Sequence, residues 1–292
     1  MSSYSIKDLE RISNMKAHTI RIWEQRYGFI KPNRSFTNIR YYTNEELKTI
    51  LNIALLNKYG FKISLINKMS PAEMNDKILL LTQLEAQQER IINDLINHMI
   101  SMDMDAFSNS LDIYIQAKGL DKMIMQVIFP FLERIGILWV TNHINPAQEH
   151  LVSNMVRQKL IAGIESCKTA PDSKKTVLLF LPEGEYHELG LLFMHYLLKR
   201  KGVSVIYLGA NIPLEDLAYV FEHKRPDYIY CHLTSLSANF KFDKFLFNLE
   251  QKFKPVPIII SGQITHNYEK KIKAPIHLKR TLAESMSFVE SL

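Results

Sequence analysis

Apolar residues follow three different patterns along the chain, and each pattern predicts a different kind of structure. Before residue 70, short helical periodicities are interrupted by a polar, β-like stretch. Residues 79–167 keep the helical period with only short breaks, whereas after residue 171 strand-like apolar runs alternate with helical ones. We therefore predict three domains, over residues 1–75, 76–170 and 171–292.

The last domain has the clearest pattern. Four predicted helices alternate with five strand-like runs, which read TVLLFLP, VSVIYLG, DYIYCHLT, VPIIISG and IHLKRT. Such alternation predicts a parallel sheet with helices on both faces. With five strands we expect a flavodoxin-like (Rossmann-type) α/β domain of strand order 2-1-3-4-5, in which ligands bind beyond the carboxyl ends of the strands.

A histidine lies at that edge, in the stretch LPEGEYHELG that follows the first strand. His187 on this loop is placed to bind a docked group, and Glu185 can hold one ring nitrogen and so fix the tautomer. Gly190 is expected to leave room for a bulky group against the first helix of the sheet domain. From these residues alone, an ordinary exposed loop histidine still explains the pattern.

The first domain has the pattern of a winged helix-turn-helix. Ile6, Leu9 and Ile12 share a helical face, and a second periodic stretch ends near Gly28. On this second helix Ile20 and Trp23 are expected in the core. The polar segment IKPNRSFTNIRYY reads as a β-hairpin wing. The expected DNA contacts come from the second helix towards the major groove and from the wing towards phosphates, and they are Lys16, His18, Thr19, Arg21, Arg34, Arg40 and Tyr41.

The middle domain is predicted to be a small helical bundle. In its segment GILWVTNHINPAQEH, Asn145 is a good N-cap and Pro146 suits the first helical position, so that two helices meet here. This arrangement lets Trp139, Glu149 and His150 line a common pocket. A core tryptophan and a solvated Glu-His pair explain the same spacing.

Charge supports the nucleic-acid interpretation of the first domain. Residues 1–70 carry twelve Lys/Arg against five Asp/Glu, whereas the remaining residues carry twenty-four against twenty-five. A basic segment of this kind is typical of nucleic-acid binding. The two cysteines, Cys167 and Cys231, indicate neither a disulfide framework nor a zinc site. Without a signal region or a long apolar run, we expect a cytoplasmic protein with no membrane partner.

The segment TIRIWEQRYGFIKPNR followed by IRYYTNEEL resembles the winged helix-turn-helix of MerR-family regulators, in the tryptophan-bearing version of the CarH/LitR group. The resemblance covers about residues 4 to 70. Thr43 and Glu46 also fit a capping box that starts the next helix, and Gly60 is expected to end it.

The sheet domain resembles cobalamin-binding domains. EYHELG is similar to their DxHxxG signature with Glu for Asp, and the later TSL and SG resemble its SxL and GG elements, with Ser261 where a glycine is usual. The resemblance implies His187 as the lower axial ligand of cobalt, with Glu185 behind it. It also implies that the nucleotide tail of the cofactor is flanked by Thr234, Leu236, Ser261 and Gly262.

All three parts together resemble the CarH/LitR photoreceptor repressors. The resemblance implies that the bundle caps adenosylcobalamin, with Trp139 against the adenosyl group and Glu149 and His150 nearby. It further implies a homo-tetramer on operator DNA in the dark that dissociates on illumination. Val140 stands where that group has a histidine able to replace the lost adenosyl group, and His143 can substitute only if the turn before it shifts.

Two other functions are compatible with parts of this pattern. One is a cobalamin-sensing MerR-type regulator without photochemistry, which Val140 favours. The other is a corrinoid carrier for methyl transfer. The basic first domain (the head, residues 1–75) argues against this function. We expect no autonomous enzyme, because no nucleophile-and-base constellation or phosphate loop is evident in the sequence.

Overall fold

The structure, a computed structural model, describes residues 4–28, 30–34, 36, 38–140, 144–167, 174–235, 240–266 and 268–292, with the backbone alone for residues 137–140. These residues form two compact units, Met1–Met155 and Val156–Leu292. None of the described helices is both long and apolar enough to cross a membrane.

The first unit begins with the predicted winged helix-turn-helix. Ser5 caps its first helix together with Asp8, and Thr43 with Glu46 forms the predicted capping box before the third. Gly28 ends the second helix in the left-handed conformation that favours glycine. The elements are α1 (Ile6–Ser13), α2 (Ala17–Tyr27), β1 (Asn33–Arg34), β2 (Arg40–Tyr41), α3 (Asn44–Lys58) and α4 (Ile63–Ile66).

The core positions predicted for the second helix are confirmed. Ile20 and Trp23 are buried, and Trp23 packs in a cluster with residues of α3 such as Ile53. The wing is the predicted hairpin, an antiparallel pair in which Asn33 faces Tyr41 and Arg34 faces Arg40. The head therefore holds its second helix and its wing on one small core.

The predicted helical bundle is also confirmed. Asn145 caps its last helix, whose first residue is Pro146. The buried side chain of Gln148 links this helix to the Leu84–Ser101 helix, because it donates hydrogen bonds to the backbone carbonyls of Met99 and Ile100. The helices are α5 (Pro71–Leu79), α6 (Leu84–Ser101), α7 (Met104–Lys118), α8 (Leu120–Met123), a π-helical turn (Ile124–Ile128), α9 (Phe129–Val140) and α10 (Pro146–Ser166).

The predicted domain boundaries remain predictions. The boundary at residue 75 falls within α5, whose Met74 and Ile78 belong to the same apolar cluster as Trp23. The boundary at residue 170 lies outside the described residues. Within the first unit the head and the bundle thus share a core.

The second unit contains the predicted parallel five-stranded sheet, in the order β4-β3-β5-β6-β7. In chain order this is the predicted 2-1-3-4-5. Helices connect the strands along the chain. The three inner strands, β3, β5 and β6, are largely buried, whereas the edge strands β4 and β7 are mostly half-buried. The elements are β3 (Thr176–Pro182), α11 (Leu189–Arg200), β4 (Ser204–Ile212), α12 (Leu214–Lys224), β5 (Tyr228–His232), α13 (Phe242–Phe253), β6 (Ile258–Ser261), α14 (Gln263–His266), β7 (Ile276–Lys279) and α15 (Leu282–Glu290).

Candidate cofactor site and DNA-binding surface

The loop between β3 and α11 presents His187 at the carboxyl edge of the sheet. The imidazole is largely exposed, and its Nδ1 lies 2.6 Å from Oε1 of Glu185. The same carboxylate oxygen accepts a hydrogen bond of 2.9 Å from the backbone N–H of His187. The predicted contact between Glu185 and His187 is therefore confirmed, and it fixes the orientation of the ring.

Glu185 is fully buried, and its second oxygen is held by the neighbouring strand. Oε2 accepts hydrogen bonds of 2.9 Å from the backbone N–H groups of both Thr234 and Ser235, just beyond β5. Burial on its own would raise the pKa of this carboxyl, but the hydrogen bonds from His187, Ser235 and Thr234 outweigh it and the pKa lies below its ordinary value of 4.5. The group is thus a charged anchor between two loops.

This arrangement suits a metal that is already held by a macrocycle. With Nδ1 engaged by Glu185, coordination would use Nε2, and the carboxylate would increase the basicity of the ring. The described residues include no cluster of three or more His, Cys, Asp or Glu that could hold a bare metal ion. One oriented imidazole is the donor set that a corrin-bound cobalt needs from the protein.

The space beside Gly190 is filled by a side chain of the protein. A Cβ on Gly190 would lie only 2.3 Å from Nε2 of His232, so the glycine makes room for an imidazole of the protein. Whether this position also leaves room for a bulky group of a cofactor stays a prediction. The sequence reasoning missed His232, because its position at the end of β5 opposite the first helix of the sheet domain is set by the sheet topology alone.

His232 is part of a short polar chain under the sheet edge. Its Nδ1 lies 2.8 Å from Oγ of Ser261, which is itself 2.6 Å from the hydroxyl of Tyr230. Burial lowers the pKa of His232 from 6.5 to about 4, although the negative charge of Glu185 acts to raise it. The ring is therefore neutral at pH 7. Ser261 is therefore engaged inside the protein, and its predicted place beside a nucleotide tail stays a prediction.

The other predicted tail residues are placed only in part. Gly262 has a φ of +100° and passes so close to Leu233 that an added Cβ would lie 2.2 Å from the Leu233 carbonyl oxygen. Thr234 is exposed at the sheet edge, near Glu185. Leu236 lies outside the described residues.

The residues predicted to cover the upper face of the cofactor belong to α9 and α10. On α10, Glu149 pairs with His150 at 3.2 Å and accepts a hydrogen bond from Ser153. For Trp139 and Val140 only the backbone of α9 is described, and His143 lies outside the described residues. A common pocket for Trp139, Glu149 and His150 therefore stays a prediction.

The predicted DNA contacts lie on the solvent side of the head. On α2 and at its start, Lys16, His18 and Arg21 are exposed and Thr19 is half-buried. On the wing, Arg34 is exposed and donates to Asn38, whereas Arg40 and Tyr41 are half-buried. These side chains can face a polyanion together, and their contacts with DNA stay predictions.

Glu24 joins the wing to α2, and the sequence reasoning missed it. Its carboxylate accepts hydrogen bonds from Nε of Arg40 at 3.2 Å and from the hydroxyl of Tyr42 at 3.1 Å. Burial, followed by the charge of Glu24, raises the pKa of Tyr42 to about 12. The acidic residue inside the basic head thus fixes the wing relative to the helix that precedes it.

Two family models match parts of the chain. The MerR HTH family regulatory protein model matches residues 4–73, and the B12 binding domain model matches residues 91–162. The first match coincides with the head, and the second with the helical bundle rather than with the sheet. The chain therefore combines a MerR-type helix-turn-helix with a B12-binding domain.

Two similar proteins of Myxococcus xanthus cover most of the chain. The HTH-type transcriptional repressor CarA is 26% identical over 288 residues, which are 98% of this chain and 92% of CarA. The HTH-type transcriptional repressor CarH is 27% identical over 274 residues, which are 91% of each chain. With the two domain matches, this similarity supports a CarH-like regulator.

A solved structure supports the fold. The monomethylamine corrinoid protein of Methanosarcina barkeri aligns with 70% of this chain and 100% of its own, with a TM-score of 0.53 at 13% sequence identity. At this identity the similarity concerns the fold alone. The aligned part of this chain thus shares its fold with that corrinoid protein.

Proposed function

We propose that this CarH-like chain is a cytoplasmic, cobalamin-binding transcriptional repressor that binds operator DNA as an adenosylcobalamin-dependent homo-tetramer and dissociates on illumination. The coarser part, a cobalamin-binding MerR-type regulator, follows from the domain content and from the similarity to CarA and CarH. The adenosyl form, the tetramer and the light response belong to the proposal.

One observation carries the proposal in the structure. His187 lies at the carboxyl edge of a parallel sheet, oriented by a buried carboxylate whose other oxygen is fixed by two backbone N–H groups. Ligands of such sheets bind at this edge. An imidazole held in this way is already ordered before it coordinates a metal. An ordinary surface histidine would lose rotamer freedom on coordination.

In this function His187 would coordinate cobalt through Nε2, and Glu185 keeps the ring in the tautomer that leaves Nε2 free for coordination. Trp139, Glu149 and His150 of the bundle are proposed to enclose the opposite face. When bound, adenosylcobalamin supplies a cobalt–carbon bond that light can break. Trp139 would pack against the adenosyl group, so that loss of this group would remove its packing partner.

Oligomerisation links this site to DNA binding. A single winged head makes few contacts with DNA, and several heads joined in one assembly gain from effective concentration. Binding of a cofactor shifts the assembly only by its differential affinity for the assembled state. The exposed cations of α2 and the wing, such as Arg21 and Arg34, then bind phosphates and bases of the operator.

The proposal is tested by size-exclusion chromatography and DNA gel shifts with adenosylcobalamin, in the dark and after green light. We expect a dark tetramer that retards DNA, and loss of both after illumination. His187→Ala should prevent assembly, whereas His277→Ala, an exposed histidine on β7, should behave as wild type. A protein that assembles and binds DNA equally well with and without cofactor contradicts the proposal.

A second candidate keeps the architecture and removes the photochemistry. Val140 cannot ligate cobalt, so no residue directly after Trp139 can take the place of a lost adenosyl group. In this candidate cobalamin acts as a chemical effector. The same chromatography distinguishes the two, because assembly would then respond to cofactor and not to light.

Val140 also predicts how firmly the protein retains cobalamin after illumination. After illumination, we expect wild-type protein to release cobalamin on a desalting column, and Val140→His to retain it with the absorption spectrum of a bis-imidazole complex. Val140→Leu is the matched control. Retention of such a spectrum by the wild type would show that another ligand, for which His143 is the candidate, reaches cobalt.

A further inference from the structure

The tip of the wing carries two exposed apolar side chains. Phe36 is completely exposed and Ile39 is 66% exposed, both on the loop between β1 and β2. Single exposed apolar residues are common on protein surfaces. Two on one hairpin tip instead indicate a surface that contacts another molecule.

The charges around this tip favour a polyanion as its partner. Residues 31–42 contain Lys31, Arg34 and Arg40 and no acidic residue. Arg34 donates a 2.7 Å hydrogen bond to Asn38, whose φ of +61° places it in the left-handed region. The described part of the loop is thus a defined turn with a cation at its base.

The wing is also fixed relative to the helix that is proposed to read the major groove. Glu24 of α2 accepts hydrogen bonds from Arg40 and from Tyr42, on and next to the second strand of the wing. When α2 enters the major groove, an element held beside it reaches the backbone and the adjacent minor groove. An apolar tip in that position meets sugars and base faces, and not only phosphates.

We propose that Phe36 is an apolar wedge that enters the minor groove of the operator and partly unstacks a base step, with Ile39 packing beside it. Apolar side chains are used in this way by proteins that deform DNA through the minor groove. This inference rests on the proposed DNA-binding function. It adds a contact that depends on the shape and stacking of DNA, in contrast to the phosphate contacts of the arginines.

The test compares Phe36→Ala with Arg34→Ala on a duplex enriched by the wild-type protein from a random-sequence pool, with adenosylcobalamin present and in the dark throughout. Affinity is measured by fluorescence anisotropy at several salt concentrations. Phe36→Ala should weaken binding about tenfold at every salt concentration, with the salt slope unchanged, because no phosphate contact is lost. Arg34→Ala should weaken binding and also reduce the slope. Phe36→Trp should restore affinity, and Phe247→Ala, an exposed phenylalanine on α13, should have no effect.

Unstacking is observed directly with 2-aminopurine placed step by step through the same duplex. Wild-type protein should increase its fluorescence at one step beside the major-groove site, and Phe36→Ala should not. Equal affinity and equal fluorescence for wild type and Phe36→Ala would overturn the wedge and leave the proposed function intact. A wild-type protein that enriches no duplex would overturn both. Self-association that Phe36→Ala abolishes, without an effect on DNA, would assign the tip to a second copy of the chain instead.

Discussion

At the scale of single residues, the contact between His187 and Glu185 could be predicted because the two residues are neighbours in sequence. A carboxylate two positions before a loop histidine can reach its ring with little dependence on the rest of the fold. The support of Glu185 by Thr234 and Ser235 could not be predicted, because these amides are about fifty residues away and meet it only when β5 lies beside β3. The contact of Gly190 with His232 is invisible in the sequence for the same reason.

Glu185→Gln tests the charged anchor. The amide keeps the size of the side chain but replaces one acceptor oxygen by a donor, so either His187 or the N–H groups of Thr234 and Ser235 lose their partner. We expect the free energy of unfolding at pH 7 to fall by about 1–3 kcal/mol. Glu183→Gln, an exposed neighbour, should be close to wild type.

The pH dependence of that difference follows from the lowered pKa of Glu185. The ionised carboxylate stabilises the folded state fully above the ordinary pKa of 4.5, and this contribution is lost as the pH falls through the lower folded-state pKa. Chemical denaturation of wild type and Glu185→Gln should therefore give a difference that is constant from pH 7 down to the ordinary pKa of 4.5 and shrinks as the pH falls further. A difference that is constant with pH would show that the charge of Glu185 contributes nothing.

At the scale of elements, the strands and helices of the second unit could be predicted closely. Inner strands of a parallel sheet are covered on both faces, so TVLLFLP and VPIIISG appear as nearly continuous apolar runs. The short elements could not be found in this way, since α4, α14 and the π-helical turn before α9 have no apolar period of their own. The wing is visible in the sequence, but its link to α2 through Glu24 depends on tertiary packing.

Gly262 is needed by the turn that ends β6. Its φ of +100° is strained for other residues, and an added Cβ would lie 2.2 Å from the carbonyl oxygen of Leu233. We expect Gly262→Ala to lower the free energy of unfolding by at least about 2 kcal/mol. Gly136→Ala, on an exposed helical position with nothing near the added atom, should leave stability unchanged or raise it by up to about 1 kcal/mol. Equal thermal stability of the two variants would contradict this account of the turn.

Glu24→Gln tests the connection between the wing and α2. Loss of the charge weakens the hydrogen bonds from Arg40 and Tyr42, so the wing is held less firmly. Glu45→Gln removes the same charge from an exposed position in the head and so controls for the simple electrostatic gain towards DNA. Relative to this control, we expect several-fold weaker DNA binding by Glu24→Gln at every salt concentration. Equal affinity of the two variants would show that the link does not position the wing.

At the scale of the whole molecule, the order of head, bundle and sheet could be predicted because each part has its own apolar period. The uneven distribution of charge along the sequence indicates DNA binding by the head, and the similarity to CarA and CarH extends over most of the chain. The division into two compact units differs from the three predicted domains, since the core of the head continues into α5 and Ala86 of α6. Such shared packing between segments is not visible in a local sequence pattern.

All parts of the proposed function depend on one bond between His187 and cobalt. It is measured most directly by electron paramagnetic resonance of the full chain loaded with cob(II)alamin, after its histidines are labelled with nitrogen-15. Coordination by His187 predicts that each cobalt line is split into a doublet by the labelled nitrogen, and that the splitting is absent in labelled His187→Ala. A triplet in the labelled wild-type protein, from the unlabelled base of the cofactor itself, or lines without nitrogen splitting would contradict the account.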